Sequence, residues 1–216
     1  MAGKRGDSLV VEYSSIAPEF EEEYNNWYVT HYLLSRMQAP GVLGAARYQL
    51  AGDAHHYLTV FELEGAGALD HPVLQPATDS PDGWDSRVAA QVKVEARLVY
   101  NRLLAMGRPG ELRAPAMATV RMDVDPAVED DFNNWYNAEH LPDLGAVAGV
   151  QSARRYQQLS APEGGDWKYL AIYEFEAENV YGSDAWKKAA YTPWTQKILP
   201  HIKNGKPQLW RCVFQV

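Results

Sequence analysis

One cysteine, Cys212, stands in a chain of 216 residues. It can form no intrachain disulfide and supports no thiolate metal cluster. Positive charge is also short: 20 Lys and Arg against 28 Asp and Glu give a formal net charge of −8. Phosphate backbones and anionic lipid surfaces need a basic face, so neither nucleic acid nor a membrane is expected as a partner. No apolar run approaches the roughly 20 residues that span a bilayer. The opening stretch MAGKRGDSLVVEYSS lacks the apolar core of a signal peptide, and the expectation is a cytoplasmic protein. Missing too are a Walker-type phosphate loop, a dinucleotide glycine fingerprint, a G-x-S-x-G elbow and a cysteine near a histidine. Nucleotide-dependent and covalent chemistries are therefore disfavoured. His55 and His56, beside Asp53, lack a ligand spacing, and no H-x-x-x-H pair occurs. No metal and no organic cofactor is expected.

Aromatic residues, by contrast, are plentiful: seven Trp and thirteen Tyr suit a core, or a pocket for a flat apolar ligand. The chain also repeats itself. Asn-Asn-Trp-Tyr occurs at 25–28 and again at 133–136, half the chain length away. At the same offset Glu21, Leu33, Gly41, Val42, Ala45, Arg47, Tyr48 and Gln49 meet Glu129, Leu141, Gly149, Val150, Ala153, Arg155, Tyr156 and Gln157. No gap is needed from Glu19 to Gln49, so the chain is two copies of one unit of about a hundred residues.

Each copy opens on a strand-like run, SLVVEYSS or MATVRMDVD. A proline follows (Pro18, Pro126) and starts a helix, with Asp125 as a cap in the second copy. A Gly-Val turn, a two-strand hairpin, a second helix near DGW or TPW, and a last strand complete the order β-α-β-β-α-β. Such a unit is an α+β ferredoxin-like sheet with helices on one face. Two of them bury their bare faces against each other, and the barrel then closes within one chain, as a monomeric pseudo-dimer that could still pair as a homodimer. The expected units are residues 1–106 and 116–216. The linker, 107–115, falls in the Gly- and Pro-rich stretch AMGRPGELRAP.

The tandem unit resembles the dimeric α/β-barrel superfamily. EDDFNNWYNAEHLPDLGAVAGVQSARRY is similar to its EthD-like branch, where a W-Y-x-x-H-L-P helix precedes a Gly-Val turn and an Arg-Tyr strand. The likeness is strong over 126–176 and weaker over 18–64. Relatives include cofactor-free monooxygenases, polyketide cyclases, isomerases, decarboxylases, dehydratases and some haem proteins, so the fold does not choose a reaction.

His140 is the leading catalytic candidate. Pro142 cannot continue the helical bond to Ala138, so the helix is expected to end or kink at His140. The dipole at a helix C-terminus would favour imidazolium and a general acid. The plainer alternative is a helix-ending histidine in contact with water. Tyr136 and Asn133 share its flank at helical spacing and complete the catalytic set. The first copy places Tyr32 and Leu34 where the second has His140 and Pro142, so the second copy is expected to hold the site.

Substrate-binding candidates are Trp135, Phe132 and Glu139 on the same helix, with Trp27, Tyr28 and His31 from the first copy. The tryptophans serve equally as core between helix and sheet. Arg155 precedes Tyr156 on a strand; inward it would hold a carboxylate or enolate, outward it is a surface charge, the reading favoured slightly. His201, on the second helix, completes the set. Three functions follow for a small-molecule substrate. The first is a cofactor-independent lyase or isomerase acting on an apolar, oxygenated, aromatic or polyketide-like compound. The others are a cofactor-free monooxygenase of phenols or hydroquinones and a non-catalytic binder of an aromatic metabolite.

Overall fold

A computed structural model of the chain describes residues 6–75, 83–107, 114–160 and 167–216. Strand β1 (Ser8–Ile16) opens the first half, and β5 (Ala116–Val124) opens the second. Around β1 lie β2 (Val42–Leu50), β3 (Asp53–Leu63) and β4 (Val92–Gly107) in the order β4-β1-β3-β2, all antiparallel. Around β5 lie β6 (Val150–Ser160), β7 (Tyr169–Phe175) and β8 (Ile202–Gln215) in the matching order β8-β5-β7-β6. β2 pairs with β8 and β4 with β6, which closes the eight strands into one barrel. Among the described residues closure leaves no sheet edge open to another chain.

Both halves begin their helices alike. α1 (Glu21–Trp27) and α2 (Leu33–Met37) are joined by a π turn, Tyr28–Tyr32. After α3 (Gly83–Ala89), the second half repeats the pattern with α4 (Glu129–Trp135), a π turn Tyr136–His140, and α5 (Leu141–Gly145). A 3-10 turn containing Pro126 precedes α4, and Asp125 caps it, its carboxylate accepting from the Ala127 N–H at 3.1 Å. The second helical segment expected near TPW is two helices, α6 (Asp184–Ala190) and α7 (Pro193–Ile198), capped by Ser183 and Thr192. The expected linker falls largely outside the described residues, as does the loop 161–166; Asp82, of the expected DGW start, also lies outside them.

The turn into β6 depends on Gly149, at φ +88°, where an added Cβ would come within 2.5 Å of Val180 Cγ2. Its counterpart Gly41 has φ +83°.

Three apolar layers result. Leu9, Val11, Tyr48, Leu58, Met117, Tyr156, Ile172 and Trp210 fill the barrel interior from both halves. Trp27, Tyr28 and Leu33 pack the first helices on the outside of the wall, and Phe132, Trp135 and Tyr136 pack the second helices in a separate layer. Both faces of each strand are thus covered, which decides the fate of residues that alternation alone leaves undecided.

Candidate active site

The helix does not end at His140. It runs on through the π turn, whose closing bond joins the Leu141 N–H to the Tyr136 carbonyl. Pro142 lies in the first turn of α5, where the helical ladder has already shifted and a missing N–H costs little. Pro142 is not the cause of the turn, because Leu33 bonds to the Tyr28 carbonyl in the same way with Leu34 in its place. The turn has a direct consequence. In a regular α-helix, residues five apart point about 140° away from each other. Here the rings of Trp135 and His140 lie 4.3 Å apart at 30°. Trp27 and Tyr32 make the same contact at 4.9 Å.

His140 is half-buried, with Nδ1 on the buried side and no hydrogen-bond partner for it among the described residues. Tyr136 meets the ring edge-on at 5.1 Å. Loss of water beside these apolar rings pushes the imidazole pKa down to about 3. His140 is therefore neutral near pH 7, a proton acceptor rather than the imidazolium expected at a helix end. The helix continues past it, so no terminal dipole supports the charge.

Strand register shows how the two halves diverged around this position. Glu12 pairs with Thr59 and Arg97, and Val120 with Ala171 and Pro207 at the matching places. In the first half buried Glu12 accepts from the Tyr28 hydroxyl at 3.0 Å, the Tyr32 hydroxyl at 3.1 Å and Arg97 Nε at 3.1 Å. The Arg36 guanidinium covers the Tyr32 ring at 3.3 Å. The second half replaces Glu12, Arg97, Tyr32 and Arg36 with Val120, Pro207, His140 and Leu144. A closed network of charges gives way to apolar side chains at three of its positions and one unpartnered base at the fourth. Tyr136, lacking a carboxylate, instead lies with its hydroxyl 3.3 Å from that of Tyr173, which stands where the first half has Phe61. Burial pushes both phenols above the usual tyrosine range. Trp186 closes over Tyr173 edge-on at 5.1 Å.

The other expected residues divide. Phe132 packs 5.4 Å from Tyr136 and joins the cluster. Arg155 is 1% exposed, a correction to its reading as a surface charge. It donates to Asn133 and Asn137, and its guanidinium carbon lies 4.7 Å from the Tyr136 ring centroid. Asn133 also donates to the Tyr169 hydroxyl at 3.3 Å, and Tyr169 donates to Glu129. Arg47, Asn25, Tyr57 and Glu21 form the same chain in the first half. Much of the shared repeat is thus a scaffold. Asn133 reaches the site only through Arg155, behind Tyr136. Glu139 accepts from Thr192, which with Thr195 ties the π turn to α7; Thr195 in turn accepts from Trp135 Nε1 at 3.2 Å. Trp27 and Tyr28 belong to the first helix layer, away from His140, and His31 lies on the π turn of that same half. His201 is not brought there either: its carbonyl accepts from the Asp125 N–H at 3.0 Å, ahead of the start of α4, and the helix from Glu129 to His140 alone spans roughly 16 Å by helical rise. Tyr173 and Trp186 were not among the sequence candidates, although the exchange of Phe61 for Tyr173 carried a signal.

Among the described residues no three His, Cys, Asp or Glu side chains are grouped to hold a metal ion, and no helix is long and apolar enough to cross a membrane.

The domain of unknown function DUF4286 matches residues 117–203, most of the second half. No curated protein matches the chain in sequence. Solved structures match over nearly its whole length. A candidate monooxygenase from Fusobacterium nucleatum subsp. nucleatum superposes with a TM-score of 0.66 at 11% identity, covering 97% of this chain and 94% of that one. An anthrone oxidase-like protein gives 0.65 at 10% identity, covering 100% and 95%. A mutant chlorite dismutase from Candidatus Nitrospira defluvii gives 0.62 at 12%, covering 99% and 92%. The chain shares the dimeric α/β-barrel fold of these structures. Both halves of its barrel lie on one polypeptide.

Proposed function

We propose that the chain is an enzyme of the EthD-like kind, working as a monomeric pseudo-dimer of units 1–106 and 116–216. His140 removes a proton from an oxygenated, largely apolar substrate of aromatic or polyketide-like character. The observation that carries this reading is the buried, unpartnered Nδ1 of His140, whose ring lies against those of Trp135 and Tyr136. Trp135 stacks the substrate ring, and the Tyr136–Tyr173 hydroxyl pair donates to the oxygen that gains charge as the proton leaves. An enolate forming beside His140 raises the imidazole pKa, so the base strengthens as the proton transfers. The captured proton then returns to carbon or to a leaving group. The result is isomerisation, dehydration, decarboxylation or cyclisation, with no metal or organic cofactor.

A second reading is favoured by the same lone base and by the likeness to a candidate monooxygenase and an anthrone oxidase-like protein. There the deprotonated substrate reacts directly with dioxygen, one oxygen atom being added and the other leaving as water. Turnover measured with and without oxygen separates the two: the lyase or isomerase proceeds anaerobically, and the monooxygenase stops. Tight ligand binding with no product under either condition would leave a binding protein.

A further inference from the structure

Neighbouring residues of a strand point to opposite faces. On β5, Val120 faces the helix layer, and Arg121 faces the barrel interior. Arg121 is 1% exposed. Its guanidinium carbon lies 3.7 Å from the ring centroid of Tyr13 and 4.1 Å from that of Trp167. One terminal nitrogen donates to Gln208 Oε1 at 2.9 Å. Its Nε finds no acceptor, and no carboxylate pairs with the guanidinium among the described residues.

The barrel treats its other interior arginine differently. Arg154, also buried, lies 2.5 Å from Glu62 Oε1 and 3.5 Å from Glu174 Oε1. Near Arg121 the carboxylate on the same strand face is Asp123, and it is already engaged. One oxygen accepts from the Lys168 N–H at 2.8 Å and the other from Asn204 Nδ2 at 2.9 Å. Tyr13, the repeat counterpart of Arg121, is equally buried, and its hydroxyl has no hydrogen-bond partner. Beside it is the Thr119 hydroxyl, which it shares with Trp210 Nε1, a donor to the same oxygen at 2.9 Å.

Among the described residues the buried guanidinium thus has one neutral acceptor, Gln208, and no carboxylate, and the Tyr13 hydroxyl beside it has only the shared Thr119 oxygen. Ring stacking offsets only part of the hydration that the guanidinium has lost. We propose that this end of the barrel interior is a second binding site, which takes the carboxylate of a small planar organic acid. The guanidinium edge and the Tyr13 hydroxyl donate to the carboxylate oxygens, and Trp167 covers the ligand ring. The site lies across the barrel wall from His140 and does not depend on the reaction proposed there.

Thermal unfolding of the full chain with sodium benzoate tests it. Benzamide serves as the uncharged isostere and sodium chloride as the ionic-strength control. Benzoate should raise Tm saturably, and the two controls should not. Arg121→Met should weaken the apparent benzoate affinity by about tenfold or more, and Tyr13→Phe by a smaller factor. The second variant keeps the test decisive should the first fail to fold. A benzoate effect no larger than that of chloride, an equal response to benzamide, or an undiminished response in Arg121→Met would each overturn the proposal.

Discussion

The Tyr136 hydroxyl lies 3.3 Å from that of Tyr173, whereas its repeat counterpart Tyr28 donates to the buried carboxylate of Glu12 at 3.0 Å. One inherited phenol has thus been placed in two different electrostatic settings. In the first half it completes an ion network that leaves nothing free to react. In the second it joins a hydroxyl pair beside His140, with no carboxylate bonded to it among the described residues.

Removal of the base is the most direct test. His140→Ala should lower kcat/KM for the true substrate by roughly a hundredfold to ten-thousandfold, the range for loss of a general base. Tyr173→Phe should lower it by a smaller factor, since Tyr136 remains to donate. Steady-state kinetics on both variants, with far-UV circular dichroism to confirm folding, would exclude the assignment if His140→Ala kept the full rate.

The neutrality of His140 has its own signature. Its folded pKa, near 3, lies below the ordinary histidine value of 6.5. Between those values the unfolded chain binds a proton that the folded chain does not. Stability therefore falls as pH drops from about 6.5 toward 3 and is fully present above that window. Urea midpoints at pH 7 and pH 4.5 should differ less in His140→Gln than in the wild type. Nitrogen chemical shifts of the imidazole should report a neutral ring at pH 5; a titration near 6.5 would contradict the buried placement.

The tandem architecture was legible because identical residues recur at one offset through the first helix and the next strand. The divergence of the halves at the candidate site was legible in part, through the contrast of His140 with Tyr32. The π turn was not, because Tyr28–Tyr32 and Tyr136–His140 share only their first tyrosine and a backbone bond. Nor was the burial of Arg155. Strand alternation assigns Arg154 and Arg155 to opposite faces, and on an open sheet one of them would meet water. In a closed barrel wrapped by helices both faces are interior, so both arginines are buried and each needed a partner that only the fold supplies.

The Glu–Tyr–Asn–Arg chain found in both halves should behave as a scaffold. Asn25→Ala and Asn133→Ala each leave a buried guanidinium short of an acceptor, at a cost of about 1–3 kcal/mol. Denaturant titration should show similar losses in the two halves. Activity should fall more in Asn133→Ala, because Arg155 lies against the Tyr136 ring. Equal activity loss in both variants would point to stability alone.

The divergence of the halves can also be run backwards. Val120→Glu returns a carboxylate to the position of Glu12, but without the tyrosine and arginine that satisfy it in the first half. Two outcomes compete for the new group. An ionised glutamate needs a cation, and His140, at the position of the Tyr32 that bonds Glu12 in the first half, can become one, its pKa then rising from near 3 toward or above 6.5. A protonated glutamate avoids the charge but buries a hydroxyl among Trp135 and Tyr136, at about 1–3 kcal/mol. Either way the variant loses stability at pH 7. In the first case the pH dependence of stability also flattens between pH 4 and 6.5, because His140 now gains its proton in the folded state too. Adding Pro207→Arg should recover stability by supplying the arginine of the first half, and should return His140 to its low pKa by taking the carboxylate away from it. Imidazole shifts followed through the single and double variants would decide the matter. A His140 pKa that ignored both substitutions would mean that Val120 does not border His140, and that the low pKa has another origin.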